Sequence, residues 1–322
     1  MIVRLRNWVG DVTLSLPLLM RLEAAGYDLR LVGKGWAREL LAGHGWPVDV
    51  LGKTTSQRVA QLRALRGRAL QDDPSFGSRL NALCLPDSFS SALDSRLAGL
   101  RALGHANECR SALLSLAVRR PPGQHELAVY WQLGSTLLGS GAVLPTQIGL
   151  RLAPLHLAQA AALREQHRLG PGYIVVCPFA GGTWSGQDKT WPAFPEFVAR
   201  LTARTAALSG PRVVLCPGPG EEALAREHFG TATVLTGVGL GAYAALLADA
   251  ALMVSNDTGP AHIAAAVGTP LISVMGPSDP TLWRPWGLTV QVLQGGGPGQ
   301  AEWPTLAAVD SAAQAALASP MP

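Results

Sequence analysis

"SNDTGPAHIAAAVG", residues 255–268, follows directly on the apolar run "ADAALMV" at 248–254. At this junction a buried strand gives way to an alanine-rich helix. Asp257 or Thr258 can cap that helix, and Pro260 is pre-shaped for its first turn. Gly259 lets the backbone come close to whatever lies above it, and the N–H groups of a helix start attract anions. The stretch reads as a phosphate seat with a carboxylate, Asp257, and an imidazole, His262, beside it.

Outward from this junction the same rhythm repeats. "YIVVCPF" (173–179), "RVVLCPG" (212–218), "ATVLTG" (232–237), "ALMVSND" (251–257) and "LISVMG" (271–276) alternate with helical runs at 193–208, 220–229, 240–249 and 260–267. The first half has "IVRLR" (2–6), "DLRLVGK" (28–34) and "NALCLP" (81–86), with helices at 12–25, 36–43 and 88–103. Apolar strands separated by helices imply parallel sheets covered on both faces. Two such series, joined near "LAPLHLAQAAALREQHRLGPG" (152–172), predict two facing Rossmann-like domains, 1–155 and 156–322. The last helix is a candidate to pack back on the first domain. Ligands of open parallel sheets bind beyond the carboxyl ends of the strands, so the loops there should line an interdomain cleft. "QGGGPGQ" (294–300) reads as a flexible loop.

A hydrophobic content of 48% and a charged content of 15% over 322 residues describe compact globular domains and exclude a disordered chain. Residues 1–150 carry 17 Lys plus Arg against 11 Asp plus Glu, whereas the remainder carries 9 against 11. The basic half fits either an anionic partner or a solvated arginine-rich face, and no nucleic-acid motif accompanies it. Cys84, Cys109, Cys177 and Cys216 form no CxxC pair and no zinc spacing, so buried free thiols are expected for the two in strand runs. "MIVRLRNWVGD" opens as a strand without a signal-peptide core, and no apolar run is long enough to span a bilayer. A cytosolic protein able to touch a membrane surface is expected.

The loops that could carry chemistry begin with Gly10 and Asp11. Asp11 reads as a helix cap or as a general base that takes a proton from an acceptor hydroxyl. "PFAGGTWSGQDKTWP" (178–192) brings Lys189 into a glycine-rich approach, either as a surface cation or as a partner of phosphate oxygens. Glu221 and Glu222 open a helix after a strand, where the helix dipole favours acids and where ribose hydroxyls are held in Rossmann-type sites. Trp184, Trp191, Trp283 and Trp286 fall in the same set of loops, as core plugs or as flat faces for a sugar or a base. HExxH, Gly-x-Ser-x-Gly and Walker motifs are absent, and the only adjacent Asp pair (72 and 73, in "QDDP") lies far from the phosphate loops. No metal site and no cofactor are therefore expected.

Taken together, "RNWVGDVTLSLPLL" (6–19), "LPDSFSSALDSRLAGL" (85–100), "ECRSALL" (108–114), "DKTWP" (188–192) and "SNDTGPAHIAAAVGTPLISVMGPSDP" (255–280) resemble glycosyltransferase family 9, the lipopolysaccharide heptosyltransferases. The middle block is more similar to the heptosyltransferase II branch. The resemblance implies a GT-B fold, with the acceptor bound by the first Rossmann-like domain and an ADP-sugar donor by the second. It implies inverting, metal-independent transfer of heptose from ADP-heptose to an anionic, lipid-linked inner-core oligosaccharide, met through peripheral contact at the inner membrane. Asp11, in the Gly10–Asp11 motif, matches the general base, and Lys189 the lysine at the donor phosphates. Asp257, Thr258, Gly259, Pro260, Ala261 and His262 match the donor block. Glu221 sits closest to the acid near the ribose, and Thr183 lies in the donor loop. That loop has no acid before Asp188, where some relatives carry an earlier Glu. In the implied displacement Lys189 and the N–H groups from Thr258 to Ala261 take up the diphosphate charge. A nucleotide-sugar epimerase and a non-catalytic sugar-nucleotide-binding paralogue are the alternatives of similar architecture.

Overall fold

The computed structural model describes residues 1–322 apart from 182, 185, 297–301 and 319–322, and apart from the side chains of Thr183, Trp184 and Gln187. Most of the stretch read as a flexible loop at 294–300 thus lies outside the described residues.

The chain forms two compact units. The first comprises 1–41 and 45–145. Its strands are β1 (Ile2–Arg4), β2 (Arg30–Gly33), β3 (Val48–Val50), β4 (Ala82–Cys84), β5 (Ala102–Ala106) and β6 (Leu116–Arg119). They are all parallel, in the order β3-β2-β1-β4-β5-β6. Its helices are α1 (Val9–Ala24), α2 (Trp36–Leu40), α3 (Thr55–Asp72), α4 (Phe89–Leu97) and α5 (Glu126–Leu138). The single helix expected over 88–103 is in fact α4 followed by β5. Gly99 stops the helix at φ 75°, a left-handed conformation that glycine adopts without a Cβ penalty.

The second unit comprises 42–44 and 146–322. After α6 (Pro154–Gln166) come β7 (Ile174–Cys177), the hairpin strands β8 (Thr183–Trp184) and β9 (Gln187–Asp188), α7 (Phe194–Ala207), β10 (Val213–Leu215) and α8 (Glu222–His228). Then follow β11 (Thr233–Val234), α9 (Leu240–Ala248), β12 (Leu252–Asn256), α10 (Gly259–Val267), β13 (Leu271–Met275), α11 (Pro280–Trp283), β14 (Val290–Gln294) and α12 (Leu306–Ala318). The parallel order is β11-β10-β7-β12-β13-β14, the same topology as the first sheet. All five residues of β12 are buried between β7 on one side and β13 on the other, which explains the apolar run Leu252–Val254 ahead of Ser255 and Asn256. The segment read as an interdomain joint forms α6, which packs on α9. The last helix, offered to the first domain by the sequence, buries Val309, Ala313 and Ala316 in the core of its own unit.

In each sheet the connections reverse direction once, between β1 and β4 and between β7 and β12. Such a switch point opens a crevice above the strand ends. Asp11 follows β1 and Asp87 follows β4; Lys189 follows β7 and Asp257 follows β12. The fold thus delivers charged side chains to the switch point of each unit.

Candidate active site

In the first unit, Asp11 is not a helix cap. Trp8 occupies that position without a side-chain bond, and Asp11 stands in the first turn of α1. Its Oδ1 accepts a 2.9 Å hydrogen bond from the Tyr130 hydroxyl and lies 3.5 Å from Arg6 Nε. The same guanidinium reaches Asp87 Oδ2 at 3.3 Å through Nη1 and Glu126 Oε1 at 3.5 Å through Nη2. Arg120 bridges Asp87, at 2.9 Å, and Glu126. Arg110 Nη2 stands 3.7 Å from Asp87 Oδ1. Three carboxylates are therefore matched by three guanidinium groups. Burial, reinforced by Asp11, raises the Tyr130 pKa well above its ordinary value, so the phenol stays a donor. Burial lowers His105 to about 4 despite Asp87 nearby, so this imidazole adds no charge near neutrality.

Packing fixes this arrangement. A Cβ on Gly134 would meet Leu18 Cδ1 at 2.6 Å, so glycine there lets α5 lie close on α1 without displacing that side chain, and Tyr130 on α5 reaches Asp11. The buried Arg110 donates to His105 O at 2.8 Å, to Pro86 O, to Ser88 O at 3.2 Å and to Ser91 Oγ at 3.1 Å. It therefore clamps the loop that carries Asp87. This explains why "LPDSF" and "ECRSALL", distant in sequence, belong together.

In the second unit, Lys189 Nζ lies 2.8 Å from Asp257 Oδ2. Thr258 is the N-cap of α10 in extended conformation, without a side-chain capping bond. Thr258 thus holds the cap position expected of Asp257 or Thr258 through its backbone alone, and the Asp257 carboxylate is engaged by Lys189 instead. Asn256 ties the strand end to the lysine loop: its amide donates to Pro178 O, and its Oδ1 accepts from Trp191 N at 3.0 Å. Trp191 is buried against Phe194 and Phe197, with Nε1 donating to Pro304 O at 3.1 Å. It is a core anchor that holds Lys189 two residues away, and it offers no face to a sugar.

The helix start also corrects the expected set of anion donors. Pro260 has no N–H, and that of Ala261 is spent on Thr258 O at 3.0 Å. Thr258 and Gly259 are the two of these four residues whose N–H groups the helix does not use. Glu221 is the N-cap residue of α8, yet its Oε2 accepts from Gly218 N at 2.7 Å, while Glu222 Oε2 accepts from Gly220 N at 2.8 Å. Both acids shape the loop after β10. His262 is buried in the first half of α10, whereas the Thr183 side chain lies outside the described residues. Gly10 belongs to the first turn of α1. Among the described residues no group of three or more His, Cys, Asp or Glu is arranged to hold a metal, and no helix is long and apolar enough to cross a membrane.

Sequence reading missed Arg6, Asp87, Asn256, Glu126 and Tyr130 as parts of these sites. Arg6 and Asp87 stand inside motifs already quoted. Glu126 and Tyr130 are four apart on α5, the spacing that puts two polar groups on one helix face.

The family model for glycosyltransferase family 9 (heptosyltransferase) matches residues 81–303. Lipopolysaccharide heptosyltransferase 3 of Escherichia coli is 36% identical over 126 residues, covering 37% of this chain and 35% of that protein. The alignment thus spans about a third of the relative's length. The structure of E. coli ADP-heptose lps heptosyltransferase II superposes with a TM-score of 0.76 at 24% identity, over 98% of both chains. E. coli heptosyltransferase WaaC with ADP gives 0.71 at 25% identity, again over 98% of both. The two Rossmann-like units are those of a GT-B glycosyltransferase. With the family model matched across most of its length, the chain belongs to glycosyltransferase family 9, the heptosyltransferases.

Proposed function

We propose that this enzyme transfers heptose from ADP-heptose to a hydroxyl of an anionic lipopolysaccharide inner-core acceptor, with inversion and without a metal ion. The observation that carries the reading is the Lys189–Asp257 pair, 2.8 Å apart, at the start of α10. A cation and two unused backbone N–H groups at a helix N-terminus suit a diphosphate. Asp257 orients the lysine, and Glu221, in the neighbouring βα loop, is the acid for the ribose. His262 and Thr183 belong to the same donor seat.

Chemically, Asp11 removes the proton of the acceptor hydroxyl as its oxygen bonds to the anomeric carbon. The bond from that carbon to the diphosphate breaks on the opposite face, and ADP departs with the electron pair. Lys189 and the N–H groups of Thr258 and Gly259 take up the developing charge. The acceptor is lipid-linked, so the enzyme works at the cytoplasmic face of the inner membrane through peripheral contact.

Calorimetric titration with ADP, UDP, GDP and dTDP, with magnesium or with EDTA, tests the donor half. Selective binding of ADP that is indifferent to magnesium is expected. Preference for another nucleotide, or a strict need for magnesium, would overturn the donor assignment.

A further inference from the structure

The Asp11 carboxylate is held on one side only. Oδ1 receives the Tyr130 hydroxyl at 2.9 Å and Arg6 Nε at 3.5 Å. Among the described residues no donor is paired with Oδ2, and Asp11 is partly exposed. Arg6 cannot swing to cover both oxygens, because Asp87 and Glu126 occupy its two terminal nitrogens. A bidentate guanidinium would fix the carboxylate but quench both oxygens. Here the neutral phenol fixes it while leaving one oxygen basic.

We propose that Tyr130 is a positioning residue for proton transfer, holding Asp11 Oδ1 so that Oδ2 faces the acceptor hydroxyl. This rests on the reading of Asp11 as the general base. Tyr130 suits the role because it is fully buried on α5, and α5 is locked to α1 at the Gly134–Leu18 approach. Glu126, one turn earlier on the same helix, restrains Arg6 from the same side. One helix therefore orients both donors to Asp11. The groups facing the carboxylate cluster are Arg6 beside β1, Asp87 and Arg110 around the β4 loop, His105 on β5, Arg120 before α5, and Glu126 and Tyr130 on α5.

The test compares wild type, Tyr130→Phe and Asp11→Asn with ADP-heptose and a deacylated inner-core acceptor, recording kcat, acceptor KM and kcat/KM from pH 5 to 9. Tyr130→Phe should lower kcat about 10- to 100-fold, the scale of a lost orientation, with KM within about twofold. Removing a donor from a carboxylate raises its pKa, so the acid limb should move to higher pH. Should the phenylalanine variant not fold, 3-fluorotyrosine placed at 130, a stronger donor of the same shape, should move that limb to lower pH. An unchanged acid limb in Tyr130→Phe or the fluorotyrosine protein, with Asp11→Asn inactive, would overturn the role of Tyr130 alone. Near-normal turnover by Asp11→Asn would overturn the base reading and this inference with it.

Discussion

Lys189 and Asp257 form a pair in which each residue constrains the other. The carboxylate is buried and the lysine mostly so, which makes the pair stronger than a surface ion pair and costly to halve. Lys189→Met should therefore leave an uncompensated acid at the proposed diphosphate seat. We expect ADP affinity to fall about tenfold or more and kcat by about 100-fold, the range for loss of one charge-stabilising donor. Calorimetry and steady-state rates check both; unchanged ADP affinity would remove Lys189 from the seat. His105 provides a separate pH prediction. Burial holds it neutral down to about pH 4, whereas in the unfolded chain it titrates near 6.5. Between these values the unfolded state binds a proton that the folded state refuses, so stability falls as the pH falls. The loss amounts to roughly 3 kcal/mol over the whole window. Urea unfolding at pH 7 and pH 4.5 should show a smaller acid loss in His105→Gln than in wild type, and an equal loss would contradict the assignment.

Elements differ in how much of themselves they reveal. The strands β7, β12 and β13 were legible because both faces are buried and Val, Ile, Leu and Met dominate them, with Ser255, Asn256 and Ser273 as buried polar exceptions. The helix α3 was not, since only Val59, Leu62 and Leu65 along its 18 residues are buried and the rest reads as polar surface. The strand β6 is partly exposed and short, so its alternation carries little signal. The junction Asp257–His262 was legible for a different reason: its residues lie within a few positions of one another at a strand end. Tyr130, the hydrogen-bond partner of Asp11, comes from 119 residues away, a contact that only the tertiary fold brings about. Close approaches of helices were equally invisible. A Cβ on Gly241 of α9 would meet the buried His156 ring of α6 at 2.2 Å. Gly241→Ala should destabilise the second unit by about 1–3 kcal/mol, the cost of overpacking, and thermal unfolding would show it as a lowered Tm. An unchanged Tm would mean that α6 and α9 separate freely.

At the scale of the whole molecule, charge divides unevenly between the halves. The first 150 residues carry a net charge of +6, and the arginines around Asp11 are already matched by acids. The surplus therefore lies elsewhere on that half, where it can attract an anionic acceptor over a Debye length. Raising salt from about 50 to 300 mM should increase the acceptor KM severalfold at constant saturating donor. An acceptor KM independent of salt would argue that the surplus is merely a solvated face.

The central claim, glycosyl transfer with inversion, is tested most directly by incubating the purified enzyme with ADP-heptose and a deacylated inner-core acceptor in EDTA, then determining product mass and anomeric configuration by NMR. The account predicts an acceptor heavier by one heptose, linked with the configuration opposite to that of the donor, and stoichiometric ADP. Retention of configuration, dependence on an added metal, or donor conversion without acceptor would contradict it.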